Sequence, residues 1–101
     1  MIKEITVAEL REQLEKEASF TLLDVRTVEE IQELGQITNS DLVIDFYAVD
    51  FKEQLKKLDP TRVYLVYCKA GGRSLAACIL MKEMNLTCIN LAGGYTAWQQ
   101  K

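Results

Sequence analysis

Histidine is missing from all 101 positions of the sequence, and no other absence excludes as much chemistry. Without an imidazole the chain can build no Cys-His pair, no Ser-His-Asp triad and no histidine-bearing metal site. Cysteine is sparse as well. Cys68, Cys78 and Cys88 stand ten residues apart, whereas thiolates that gather around zinc or iron-sulfur centres are usually about two to four apart, so no metal site is expected. Proline occurs once and no block of like charges is present, which removes the compositions that keep a chain disordered. With 49% apolar and 27% charged residues the chain must fold to hide its side chains, and a single domain spanning residues 1–101 is expected.

Excess positive charge is lacking too. A formal charge of −3 and a pI near 4.9 offer nothing with which to displace counterions, so neither nucleic acid nor an acidic membrane is expected as a partner. No window approaches the roughly 18 apolar residues of a bilayer span, and the N-terminal stretch has no signal-peptide core. The expected setting is the cytoplasm.

What is present reads as alternating strands and helices. Ile5 ends a short strand, and Thr6 with Glu9 forms a capping box for a helix from Val7 to about Lys16, with Leu10 and Leu14 on its buried face. Phe20 to Asp24 is an apolar run closed by a carboxylate. A polar, helix-compatible segment follows from Thr27 to Leu34, ended by Gly35. Leu42 to Ile44 is a second short run, Asp50 to Leu58 a helix stopped by Pro60, and Arg62 to Tyr67 the strongest strand candidate. A helix built on Leu75, Ala76, Ile79 and Leu80 is expected from about Ser74 to Met84, with Asn85 as its exit. Thr87 to Leu91 then makes a strand, Gly93-Gly94 a turn and Tyr95 to Gln100 a last helix. Strands separated by helices of this length imply crossovers, hence an α/β fold with a parallel sheet covered on both faces.

Parallel sheets place their sites beyond the carboxyl ends of strands, and Cys68 stands at such an end. Gly71 and Gly72 let the backbone curl so that amides converge on one anion, and the next helix adds its own unpaired amides and the positive end of its dipole. Together these favour thiolate over thiol and supply a nucleophile without a histidine. Lys69 and Arg73 bring positive charge to the same loop, suited to a small anion that reacts with sulfur. A buried strand-end cysteine followed by a simple glycine turn is the plainer alternative.

The chain closely resembles the rhodanese-like sulfurtransferase family over nearly its whole length. The resemblance is carried by Asp24-Val25-Arg26 with an acidic helix after it, Gly35-Gln36-Ile37, the loop Cys68-Lys69-Ala70-Gly71-Gly72-Arg73-Ser74, and Leu91-Ala92-Gly93-Gly94-Tyr95-Thr96-Ala97-Trp98. It implies a mainly parallel five-stranded sheet and a double displacement. Cys68 takes the outer sulfur of thiosulfate or a related persulfide donor, holds it as a persulfide, and passes it to cyanide, a thiol or a protein acceptor. The amides of residues 69 to 74 cradle the extra sulfur, and no cofactor or metal has a task. Four residues separate Cys68 from Arg73, where related cysteine phosphatases and arsenate reductases typically have five, and the smaller ring suits a single sulfur atom. A partner-dependent sulfur carrier and an inactive binding module are the alternatives, followed by arsenate reductase or cysteine phosphatase chemistry.

The sequence departs from the family at Gln36, where histidine is usual, and at Asn39-Ser40, where Gly-Ala is usual; it also looks one residue longer between Asp24 and Gly35. Asp24 and Arg26 are expected to be framework, a buried carboxylate at a strand end with loop amides or a nearby arginine, and substrate binding is their alternative role. Phe46 and Tyr47 follow another strand's carboxyl end and are the aromatic candidates for facing the site. Trp98 is assigned to packing, as are Cys78 and Cys88, with a resolving thiol for Cys68 as their alternative.

Overall fold

The computed structural model describes residues 1–16, 19–38 and 40–100; Asn39 of the unusual Asn39-Ser40 pair lies outside them. Five strands, β1 (Lys3–Ile5), β2 (Thr21–Asp24), β3 (Leu42–Val43), β4 (Val63–Tyr67) and β5 (Thr87–Leu91), alternate with five helices. The helices are α1 (Val7–Glu15), α2 (Val28–Leu34), α3 (Phe51–Lys56), α4 (Gly72–Glu83) and α5 (Gly94–Gln99). The strand order is β1-β5-β4-β2-β3, and every pairing is parallel.

Alternation along β4 divides the interior in two. Tyr64, Val66 and then Cys68 face a core completed by Phe51 and Leu55 of α3 and by Ala77, Cys78 and Met81 of α4. Leu65 and Tyr67 face the opposite core, with Leu10 of α1 and Tyr95 of α5. The sheet is thus covered on both faces, and the central strand is apolar on both sides, as parallel strands require. No helix among the described residues is long and apolar enough to cross a membrane.

Local chemistry explains most of the boundaries. The Thr6 amide donates to Glu9 Oε1 at 2.8 Å and the Glu9 amide to Thr6 Oγ1 at 3.1 Å, which closes the expected capping box. Thr27 and Glu30 form a second one at the start of α2. The exit from α4 runs through Asn85 at φ 61, a left-handed conformation that asparagine tolerates better than most residues. α3 is shorter than its apolar spacing suggests, ending at Lys56.

α4 differs from expectation in two ways. It begins at Gly72, because Gly71 takes up the left-handed N-cap position at φ 107 and the two residues after it already belong to the first turn. Its buried face is Ser74, Ala77, Cys78 and Met81, while Leu75 and Ile79 are left 38% and 49% exposed. Small side chains at 74, 77 and 78 let the helix axis approach the sheet closely, and this outweighs the burial of the larger residues on the other side.

Candidate active site

Cys68 follows the last residue of β4 and is 1% exposed. α4 has no side-chain cap at its N-terminus, and the Cys68 sulfur fills that place. The Gly71 amide donates to Sγ at 3.0 Å, and the Ser74 hydroxyl lies 3.4 Å from the sulfur and 3.2 Å from the Gly71 carbonyl. Its single proton can serve either acceptor. Burial pushes the Cys68 thiol up. The Ser74 hydroxyl and the amides of Ser74, Gly71 and Ala70 outweigh it and bring the thiol below its ordinary value. The Gly71 amide and the Ser74 hydroxyl thus turn onto the sulfur, an arrangement that favours negative charge there.

Two elements hold the loop from behind. The amides of Tyr95 and Thr96 in α5 donate to the carbonyls of Cys68 and Lys69 at 2.8 and 2.9 Å. Asn90 of β5, 1% exposed, reaches the Gly71 carbonyl at 3.4 Å and Glu4 at 2.8 Å. α5 comes this close only because Gly94 has no side chain. At φ 58, a Cβ there would stand 2.6 Å from the Cys68 carbonyl oxygen and 2.7 Å from that of Lys69. Neither backbone atom can yield without moving the loop. Gly94→Ala is therefore expected to lower stability by about 2 kcal/mol or more from the left-handed strain alone. By unseating the amides around the sulfur, it should also move the pH midpoint of Cys68 alkylation up toward the ordinary thiol range. Gly72 provides the contrast, since it has nothing within 4 Å of its would-be Cβ and no positive φ. Gly72→Ala should leave both the melting temperature and the alkylation profile nearly unchanged, and equal behaviour of the two variants would refute the packing argument.

Arg73 is not open to a guest on all sides. Its two terminal nitrogens donate to both carboxylate oxygens of Glu30, at 2.6 and 2.7 Å, in a bidentate pair with side chains 18% and 23% exposed. Hydrogen bonding from Arg73 holds the Glu30 carboxyl down at about 2 despite the opposing effect of burial. A depressed carboxylate stabilises the fold above its ordinary range and loses that contribution only as pH falls toward 2, so the pair is intact at neutral pH. Glu30 is the site residue that sequence reasoning passed over. Its spacing of three from Thr27 signals a capping box, but nothing local announces a partner 43 positions away.

The other candidates separate into framework and rim. Asp24 and Arg26 are both fully buried and pair with each other, Arg26 Nη2 to Asp24 Oδ2 at 2.7 Å. Arg26 also donates to the Gly35 carbonyl at 2.7 Å, and Gln36 to Asp24 at 3.3 Å. Both side chains are thus engaged with each other and with the segment around Gly35. Phe46 packs edge-on against Phe51 and belongs to the core margin. Tyr47 reaches the rim, its ring centroid 5.5 Å from the Arg73 guanidinium carbon. Lys69 and Ala70 are exposed. Cys78 is fully buried, and the half-buried Cys88 directs its thiol at the Cys78 carbonyl at 3.5 Å.

Residues 6–101 match the family described as the rhodanese-like domain. The Bacillus subtilis (strain 168) protein YtwF is 34% identical over 98 residues, covering 97% of this chain and 91% of that protein. An Allochromatium vinosum protein named Sulfurtransferase is 30% identical over 99 residues, covering 97% of this chain and 89% of its own. The crystal structure of a rhodanese-like domain protein from Staphylococcus aureus superimposes with a TM-score of 0.85 at 28% identity, over 99% of this chain and 94% of that one. A match that runs from the cap of α1 to the chain's end, with relatives and a solved fold of nearly the same extent, leaves one assignment: the chain belongs to the rhodanese-like domain family.

Proposed function

We propose that the protein is a sulfurtransferase that carries sulfane sulfur as a persulfide on Cys68. The Cys68 thiolate attacks the outer sulfur of thiosulfate or a related persulfide donor. The bond from that sulfur to the rest of the donor breaks, sulfite or the donor thiolate leaves with the electron pair, and Cys68–S–S⁻ remains. A thiol, a protein acceptor or cyanide then attacks the terminal sulfur and restores the thiolate. The cytoplasm, where thiols stay reduced, is the proposed setting, and all three cysteines are free.

The observation that carries this proposal is the set of donors around the Cys68 sulfur: an amide at 3.0 Å and the Ser74 hydroxyl at 3.4 Å, at the N-terminus of α4. These groups are fixed before reaction and stabilise negative charge on sulfur, first on the thiolate and then on the persulfide. Family membership and the name Sulfurtransferase borne by the Allochromatium vinosum relative support the same chemistry.

Because sulfite leaves before an acceptor arrives, the first half-reaction should stop at a stable intermediate. Incubation of reduced protein with ample thiosulfate should add about 32 daltons, one sulfur atom, and peptide mapping should put it on Cys68. Excess cyanide should remove it. If neither thiosulfate nor an organic persulfide loads Cys68 of the folded protein, the proposal is wrong.

A further inference from the structure

Beside the Cys68 loop a compensated cation meets an exposed aromatic ring. Glu30 takes both ends of the Arg73 fork at 2.6 and 2.7 Å, so a distant anion meets a neutral pair instead of an arginine. The Cys68 sulfur already engages the Gly71 amide. Lys69 is exposed, and a charge on a flexible stem in water is screened within about 8 Å at physiological salt. A donor must also approach a negatively charged thiolate, and a dianion is repelled twice as strongly as a monoanion. On the same rim Tyr47 is 66% exposed, with its ring held against Arg73 and edge-on to Phe46.

From this combination, and resting on the sulfurtransferase reading above, we propose that Glu30 and Tyr47 set donor specificity. Glu30 withholds the Arg73 charge from the inorganic dianion thiosulfate. Tyr47 offers its ring to the organic substituent of a singly charged sulfane donor, of which organic thiosulfonates, R–SO2–S⁻, are the working example. The Cys68 thiolate attacks the terminal sulfur, the bond from that sulfur to the sulfonyl sulfur breaks, and the sulfinate departs with the electron pair. The persulfide is left on Cys68, and no oxidant or reductant takes part.

The test compares kcat/KM for benzenethiosulfonate, methanethiosulfonate and thiosulfate with cyanide as acceptor, each divided by that donor's own rate with cyanide in the absence of protein. The expected order is benzenethiosulfonate, then methanethiosulfonate, then thiosulfate. Tyr47→Ser, at an exposed position that the fold tolerates, should cut the preference for the benzene over the methane donor about fivefold and leave the methane-to-thiosulfate ratio unchanged. Glu30→Gln, checked for folding by its melting curve, should raise thiosulfate relative to methanethiosulfonate about threefold or more. Thiosulfate equal to or better than the organic donors in the unaltered protein overturns the proposal, and so does a benzene preference that Tyr47→Ser does not move. A protein that no donor loads on Cys68 would instead fail at the sulfurtransferase reading, and the specificity proposal would fall with it.

Discussion

Cys68→Ser should abolish sulfur transfer, by on the order of 10⁴-fold or more, while the melting temperature stays within about 5 °C. The two expectations have separate causes. Serine is nearly isosteric, and its oxygen can still accept from the Gly71 amide that now reaches the sulfur at 3.0 Å, so the loop and the start of α4 keep their partner. Reactivity is lost because a hydroxyl in the same cradle stays protonated across the accessible pH range and cannot form a stable bond to sulfane sulfur. The unaltered protein supplies the control. Burial raises the Cys68 thiol, but the surrounding donors lower it by more, for a net shift below the ordinary value. Its rate of persulfide loading should therefore climb with pH and level off before an ordinary thiol would. A Cys68→Ser protein that still gains sulfur mass, or still releases sulfite, would remove Cys68 from the chemistry altogether.

That Cys68 would stand at a strand end was legible because the signal is local. Five consecutive strand formers from Val63 to Tyr67, a cysteine, and two glycines within the next four positions specify strand, turn and helix start with no knowledge of the rest of the chain. The capping box at Thr6 and the exits at Gly35 and Asn85 were legible for the same reason, since each is a rule about neighbours along the chain. What could not be read were relations between segments. The Gly93-Gly94 pair signalled a turn, but not that its second glycine clears a path for α5 to bind the Cys68 and Lys69 carbonyls. Asn90 looked like an ordinary strand residue, yet it ties β5 to the loop through Gly71.

Periodicity misled in α4 because two faces of that helix are both consistent with a helical period. Leu75 and Ile79 form one stripe, Ser74, Ala77, Cys78 and Met81 another. Hydrophobicity alone favours the first, whereas close packing on a parallel sheet favours the second, whose small side chains let the helix sit down onto β4 and β5. The choice matters for the site. Burying the Ser74 face points the Ser74 hydroxyl at Cys68 and turns Arg73 toward α2, where Glu30 receives it. The orientation of a single helix thus decides which loop residues touch the sulfur and which are spent on the framework.

The Asp24–Arg26 pair carries the largest stability effect expected in the molecule. Both side chains have 0% exposure. The carboxylate accepts from the Arg26 amide and Nε, each at 3.0 Å, from its Nη2 at 2.7 Å, and from Gln36 at 3.3 Å. Arg26 lies between the Tyr95 and Tyr67 rings, at 4.4 and 5.5 Å, and its Nη2 also reaches the Gly35 carbonyl at 2.7 Å. Asp24→Ala would leave the guanidinium charged, buried and short of its counter-ion, which typically costs about 3–5 kcal/mol. For a chain of this size that corresponds to a fall in melting temperature of roughly 15–30 °C. Replacing both partners, as in Asp24→Leu with Arg26→Met, removes the stranded charge along with the pair and should melt well above Asp24→Ala, because the cost lies in the uncompensated ion more than in the lost attraction. Thermal unfolding of the two variants separates the cases. If Asp24→Ala melts within a few degrees of the unaltered protein, or if the double variant is the less stable of the two, the pair does not hold the ends of β2 and α2 together. The anchoring of Glu30, and through it of Arg73, would then have to come from elsewhere.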